Sequence, residues 1–514
     1  KFRNDLPAIV ILLTDKKPFE KVAPSLKNSS TLVWGQGNQP EIKEVIGQAL
    51  VGNASLTGKL PFSIGTVYTA GQGIDLLLHK PYTALPKELG FNVEIFTQID
   101  SIVLDAIKEK AFPGCQVLVL KEGIKIYDKN FGTQQGENSP RITSQSMYDI
   151  ASLTKTSGTL LAMMKLYDKG LYNLSDKISK FLPYLKNTNK ANITIRELLL
   201  HESGLLPSLS IYLEIVDKDS YPGHLLRGSK SANHTVRLGS STWGNPKFKF
   251  QKKWISTQES TPYLWPLGDK YWLNYASKQL VLDKIIDTNL RSKSYRYSCL
   301  GFILLHQMVE SIVNMPMDQF LNQEFYRPMG LKHIAYQPLK YFPKETIVPS
   351  NEDRFLRKTT LQGEVHDELA AFMGGVSGNA GLFANATDIG AIHQMILNQG
   401  EWEGKQYLSK ETCRLFTTTK SRTSRRGLGF DKPTQPTTSA GNPCASEAPL
   451  STYGHTGFTG TCTWVDPDNE LVFVFLSNRT YPNVYPNILY RLNIREKIQQ
   501  VIYKAFIRGG AIKQ

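Results

Sequence analysis

The alternation and clustering of apolar positions along the chain define its elements before any chemistry enters. PAIVILLTD (7–15) and STLVWGQG (30–37) are short apolar, strand-like runs, and Ile9 to Leu13 reads as a buried strand. QPEIKEVIGQALVG (39–52) follows with helical spacing, so the first 75 residues alternate strand and helix as a parallel α/β layer does. Residues 76 to 95, punctuated by Pro81, Pro86 and Gly90, read as a linker. FTQIDSIVLDAIKEKAFPG (96–114) predicts an amphipathic helix stopped by Pro113 and Gly114. CQVLVLKEGIKIYDKNFG (115–132) alternates around Glu122-Gly123 as a β-hairpin, and TCTWVDPDNELVFVFLSN (461–478) predicts a second hairpin turning at Asp466 to Asn469. Between them lie helical patterns: GTLLAMMKLYDKG, TIRELLLHESG, GFILLHQMVESIV and ATDIGAIHQMIL. A last helix spans LNIREKIQQVIYKAF. The two hairpins are expected to join one antiparallel sheet with helices on its faces, an α+β arrangement preceded by the α/β piece.

Length forces division, because 514 residues exceed what one hydrophobic core supports. The expected boundaries are 1–85 for the α/β piece with its linker and 92–514 for the α+β domain. The opening KFRNDLPAIVILLTD resembles a secretory leader only superficially, since Asp5 and Pro7 interrupt it. No apolar run approaches the roughly 20 residues of a spanning helix. Five widely spaced cysteines (Cys115, Cys299, Cys413, Cys444 and Cys462) form no CxxC pair, which argues against a zinc or redox motif and against a disulfide framework. A formal charge of +15 favours anionic partners such as nucleic acid, an acidic glycopeptide or a membrane surface. KFKFQKKW (247–254), basic with interleaved aromatics, fits a half-buried strand better than a nucleic-acid patch. The tryptophans of 208–290 (Trp243, Trp254, Trp265 and Trp272) either roof a cleft and stack on sugars or build a satellite core.

The candidate chemistry begins in YDIASLTKTSG, where Ser152 stands three residues before Lys155 at the start of an apolar helical run. Positions i and i+3 share a helix face, so the amine can take the proton that a serine hydroxyl must lose to become a nucleophile. For this the lysine needs at least partly neutral character, which desolvation favours. An N-capping serine beside a solvated lysine gives the same pattern. Ser152 is the only serine in the chain three positions before a lysine.

Downstream come Tyr297-Ser298-Cys299 in YRYSCLGFILLHQMVE and His455-Thr456-Gly457 in YGHTGFTGTCTWVDP. SxxK, Tyr-x-Asn and Lys/His-Thr-Gly, in this order, are the three motifs of the serine β-lactamase and penicillin-binding-protein family, which residues 95 to 505 resemble. KGLYNLSDKISKFLP, ITIRELLLHESGLLP and GGVSGNAGLFANATDIG extend the likeness. The resemblance implies that Ser152 is acylated, that Lys155 is its base and that Tyr297 shares the proton relay. It implies too that His455 and Thr456 hold a substrate carboxylate or polar group beside Gly457. The oxyanion hole would be the N–H groups of Ser152 and Phe458. Cys299 departs from the pattern, because the family has Asn there and a thiol cannot donate and accept as an amide does. It reads as a small apolar wall. His366, Asp367 and Glu368 read as a loop tether or pocket rim, His201 as structural, and Gly374 to Gly381 as a tight turn rather than a phosphate loop.

SLTGKLPFSI (55–64) resembles the end of the C-terminal α/β domain of family 3 glycoside hydrolases, of the β-N-acetylhexosaminidase kind. That resemblance implies that the chain starts inside such a domain, downstream of a glycosidase barrel. The functional expectation is a serine hydrolase that forms an acyl-enzyme and cleaves an amide in peptidoglycan-derived peptides or muropeptides, as a D-alanyl peptidase or a muramyl-peptide amidase. Carboxylesterase or weak β-lactamase activity, or a catalytically silent wall-binding module, are the alternatives. The expected partners are a peptidoglycan fragment or other small amide or ester and an upstream glycosidase domain. No nucleic acid, membrane span, metal or cofactor is expected. The substrate class implies a periplasmic or cell-envelope location.

Overall fold

The computed structural model describes residues 9–27, 31–50, 56–74, 89–434 and 441–508. Contacts divide the chain into two units, Lys1–Ala84 and Leu85–Gln514.

In the first unit, β1 (Ile9–Thr14) and β2 (Thr31–Gln36) pair in parallel, from Ile9 opposite Thr31 to Thr14 opposite Gln36, with α1 (Lys16–Val22) in the crossover. A helical crossover is what parallel pairing requires. Phe19 of α1 stacks on Trp34 of β2 at 4.3 Å, and the Trp34 indole donates to the Thr14 carbonyl at 2.9 Å. α2 (Pro40–Leu50) follows β2 closely. A side chain at Gly35 would meet Ile42 at 2.6 Å and Ile46 at 2.8 Å. β1 is less buried than its sequence suggests, with Ile9 and Ile11 exposed. The expected linker falls largely on residues 75–88, outside the described ones.

The second unit is built on five antiparallel strands. They are β3 (Gly114–Lys121), β4 (Ile124–Gly132), β5 (Tyr453–Thr456), β6 (Cys462–Asp466) and β7 (Leu471–Ser477), in the order β5-β6-β7-β3-β4. Glu122 and Gly123 take left-handed φ values of 55° and 80°, the twist a two-residue hairpin needs. Both faces are covered, and the pleat decides which residue meets which layer. Val117, Val119, Phe473 and Phe475 pack with Ile99 and Val103 of α3 (Gln98–Lys108) and with Ile498 and Ile502 of the last helix, Ile494–Arg508. Leu118, Leu120, Val472 and Val474 join the larger core against Ile389, Ile392 and Met395 of the helix Ala386–Leu397. Fully burying each such aliphatic side chain contributes about 1.5–3 kcal/mol. The packed unit begins earlier than a linker ending at residue 95 predicts, since Phe91, Ile95 and Phe96 are already core.

α4 (Leu160–Asp168) and α5 (Cys299–Val313) fill the helical layer, each carrying a long buried run. Ser298 caps α5 by accepting from the Gly301 N–H at 3.4 Å, and left-handed Asn314 ends it. Residues 208–290 form two small three-stranded sheets over an aromatic cluster, in which Phe355 meets Tyr212 at 5.6 Å and Phe248 at 5.3 Å. KFKFQKKW keeps its alternation, with Phe248 in and Lys247 and Lys249 out. It pairs only at an isolated bridge between Phe250 and Val216, so it is an extended tether and not a regular strand. No helix among the described residues is long and apolar enough to cross a membrane.

Candidate active site

A two-residue strand, Tyr148–Asp149, delivers the chain to Ser152 through a strained turn. Ala151 holds φ at +47°, a left-handed conformation costly for any residue with a Cβ. Asp149 enforces it. One carboxylate oxygen accepts from the Ala151 N–H at 2.8 Å and the other from the His366 N–H at 2.7 Å. Burial raises the proton affinity of this carboxyl to about 6.

The edge strand β5 lies against the same turn. The hydroxyls of Thr459 and Thr461 donate to the carbonyls of Asp149 and Ile150 at 2.7 and 3.0 Å. Gly457 sits in the resulting gap, where a Cβ would come within 2.0 Å of the Thr461 hydroxyl and 2.7 Å of the Ile150 carbonyl. Only glycine fits. The backbone N–H groups of Ser152 and Phe458 donate to no protein acceptor among the described residues, which leaves both available for a developing oxyanion.

After Ser152 the chain enters a π-helical turn, Lys155–Thr159, before α4 takes over. Such single-turn widenings recur at functional sites. Fully buried Lys155 points its amine at three partners: Ser152 Oγ at 3.0 Å, the Asn379 carbonyl at 2.8 Å and Cys299 Sγ at 3.6 Å. Asn379 reaches it because Gly378 presses on α5, where a Cβ would stand 2.0 Å from the Phe302 carbonyl. Asn379 in turn donates to Asp367 at 3.0 Å. The glycine-rich stretch is thus a turn that places a carbonyl.

Tyr297 completes the group by donating to Ser152 Oγ at 2.8 Å. Ser152, Lys155 and Tyr297 are therefore brought into mutual hydrogen-bonding reach from segments 145 residues apart. The ring of His201 backs the phenol at 4.6 Å while its Nδ1 accepts from the Ser298 N–H at 3.1 Å. The ring of His455 lies 5.8 Å from that of Tyr297. His455 Nδ1 meets the Thr456 carbonyl at 2.7 Å, and its Nε2 meets Arg426 Nη1 at 3.2 Å. Burial, then Arg426 and Lys155, push the imidazole down to about 3, so it is neutral.

Two expectations change here. Burial alone disfavours the Lys155 charge, yet the proton affinity of the amine stands above the ordinary lysine value, because Cys299 or Tyr297, once ionised, would hold the ammonium. The amine is not predisposed to neutrality by desolvation. Cys299 is not a purely apolar wall either, since its thiol faces that ammonium. Burial nonetheless pushes both the thiol and the Tyr297 phenol up. The resting group is accordingly ammonium, phenol and thiol. One proton must leave it before the serine proton has an acceptor, and the fraction so deprotonated rises tenfold per pH unit. The expected pH profile of kcat/KM therefore climbs with a slope of about one through neutrality and levels only in the alkaline range. A plateau beginning near about pH 6 in a stopped-flow pH series contradicts this protonation state.

In front of Ser152 opens a cleft of about 500 Å³, lined also by Phe458, Arg237, Trp243, Tyr485, Asp367 and Glu368. His366, Asp367 and Glu368 belong to this rim, as the sequence suggests, and burial pushes Glu368 up to about 7. Of the four tryptophans only Trp243 lines the cleft. Trp254 is core, and the Trp265 ring covers Gly374, where a Cβ would come within 2.8 Å of it. Sequence reasoning missed Asn379 and Arg426. The Arg425-Arg426 pair in SRTSRRGLGF was the available signal for the second.

The chain matches the Beta-lactamase family over residues 99–495. An Escherichia coli (strain K12) protein named "Putative D-alanyl-D-alanine carboxypeptidase" is 30% identical over 423 residues, which covers 78% of this chain and 86% of the relative. Among solved structures, "EstCE1, a hydrolase with promiscuous acyltransferase activity" superposes with a TM-score of 0.54 at 16% identity, over 80% of this chain and 99% of its own. A class C beta lactamase superposes at 0.53 and 15% identity, over 79% of this chain and 98% of its own. These two likenesses concern the fold.

Proposed function

The chain belongs to the β-lactamase family and is a serine hydrolase of the β-lactamase and penicillin-binding-protein type, and from that premise we propose that it cleaves an amide in peptidoglycan-derived peptides. One observation carries the mechanism: Lys155 Nζ and Tyr297 OH both bond Ser152 Oγ, at 3.0 and 2.8 Å. In this reading Ser152 Oγ attacks the scissile carbonyl and its proton passes into the Lys155–Tyr297 pair. The oxyanion is held by the N–H groups of Ser152 and Phe458. The C–N bond then breaks, the leaving amine takes the stored proton, and water hydrolyses the ester. β5, with Thr456 and Gly457, offers its edge to the substrate backbone, while the neutral His455 lines the wall. The substrate class is supported by the carboxypeptidase name of the Escherichia coli relative and by Arg237 in the cleft wall, a cation that suits a carboxylate of a wall peptide.

Incubation with defined muropeptides, followed by mass spectrometry, separates the options. Loss of D-alanine identifies a carboxypeptidase, loss of the whole peptide from the sugar identifies an amidase, and no cleavage of either rejects the substrate class. A carboxylesterase reading is favoured by Cys299, which supplies no amide to grip a substrate amide, and chromogenic esters test it.

We further propose that residues 1–85 are a C-terminal fragment of a family 3 glycoside-hydrolase-like domain and 92–514 the hydrolase. The parallel pair β1–β2 and the GKLPFS passage support this. A glycosidase partner and a cell-envelope location follow from the same reading.

A further inference from the structure

Arg426 is 5% exposed, and each nitrogen of its guanidinium has an assignable partner. Nη1 meets His455 Nε2 at 3.2 Å, Nε meets the Tyr295 hydroxyl at 3.3 Å, and Nη2 meets an Asp431 oxygen at 3.3 Å. The group also stands 5.1 Å from the centre of the Tyr297 ring. A guanidinium only donates. The His455 Nε2 it addresses must therefore be the acceptor nitrogen, which puts the ring proton on Nδ1. There the Thr456 carbonyl waits at 2.7 Å. The two contacts are consistent with one tautomer and exclude the other.

The balance of charge adds a second, independent reason. Arg425 already pairs Asp431 through both oxygens, at 2.6 and 3.1 Å. One carboxylate facing two guanidiniums leaves a net positive charge, and Arg426 carries it to the face of Tyr297. The other titratable groups around that phenol are Lys155, Cys299, His201 and His455, with the carboxyl of Asp367 acting on Lys155 and Cys299 from behind.

We infer that Arg426 is a positioning residue for the hydrolase reaction: it locks His455 as the Nδ1–H tautomer and sets a fixed cation beside Tyr297 that favours the phenolate formed when a proton leaves the relay. The inference rests on the acylation reading given above. It also explains how a wall bearing a neutral histidine remains electropositive, since a buried cation over an aromatic face interacts more strongly with the anion than with the neutral ring.

Labelling of Ser152 by a fluorophosphonate, which forms an O–P bond and expels fluoride, gives the acylation-like rate without a natural substrate. Measured against pH, Arg426→Gln is expected to move the rising limb upward by about one unit and to slow labelling about tenfold at neutral pH. Arg426→Lys keeps the limb near its wild-type position, and Arg425→Gln, which leaves Asp431 to offset Arg426 alone, moves it upward by less than Arg426→Gln does. A folded Arg426→Gln protein with the wild-type limb overturns the inference. Should that variant not fold, ¹⁵N chemical shifts of His455 in the wild-type protein decide. An Nδ1–H ring supports the inference and an Nε2–H ring overturns it. Absence of any wild-type labelling rejects the acylation reading instead, and the tautomer measurement still stands as the test of Arg426.

Discussion

Ser152→Ala is expected to lose all covalent labelling and to lower kcat on any acyl substrate by about 10³–10⁶-fold, with the fold intact. The size of the loss follows from the geometry. Lys155 and Tyr297 converge on one oxygen, and with that oxygen gone neither has an atom on which to act. Only the two free N–H groups remain to polarise a bound carbonyl, so a small residual rate over water persists. Cys299 is the one neighbouring atom that can substitute as a nucleophile, at 3.6 Å from Lys155 Nζ. Burial keeps its thiol protonated, however, and the thiolate is the reactive form. Ser152 is only partly buried, so water can replace the missing hydroxyl and melting is expected to stay within a few degrees of wild type, about 0–1 kcal/mol. Intact-mass spectrometry after labelling, with steady-state kinetics, checks this. Activity above a few per cent in a Ser152→Ala, Cys299→Ala double variant removes Ser152 from the mechanism.

Period and punctuation made the sheet legible. Val117 to Leu120 and Val472 to Phe475 alternate between two layers, and Glu122-Gly123 accept the left-handed turn between β3 and β4. The convergence of Ser152 and Lys155 was legible for a local reason, since three residues of helix bring two side chains to one face. What the sequence could not reveal depends on distant segments. The proton affinity of Lys155 depends on Cys299 and Tyr297, more than 140 residues away, whose ionised forms favour the ammonium while burial alone points the other way. Asn379 acts through its backbone carbonyl, which no side-chain motif encodes. Arg426 lies in a loop without periodicity, and its meaning appears only when Asp431 and His455 close around it. The tryptophans of 208–290 were ambiguous for the same reason, because aromatic content does not say which ring faces a cleft and which a core.

Lys155→Met is expected to lower kcat by about 10²–10⁴-fold with little change in KM, and to push the rising limb of the pH profile further into the alkaline range. The sign comes from charge: without the ammonium, the buried phenol of Tyr297 loses the neighbour that lowers its proton affinity, and only Arg426 remains. Stability responds weakly because two effects oppose. The Asn379 carbonyl is left without its donor, at about 1–3 kcal/mol, while a charge no longer has to be held out of water. Lys155→Arg separates charge from proton transfer, since a guanidinium supplies the first and cannot give up a proton. If Lys155→Arg recovers most of the wild-type rate, Lys155 acts only as a fixed cation and Tyr297 alone carries the serine proton. If both variants stay inactive, the amine itself must change protonation during turnover, which is what the three contacts of Lys155 Nζ equip it to do.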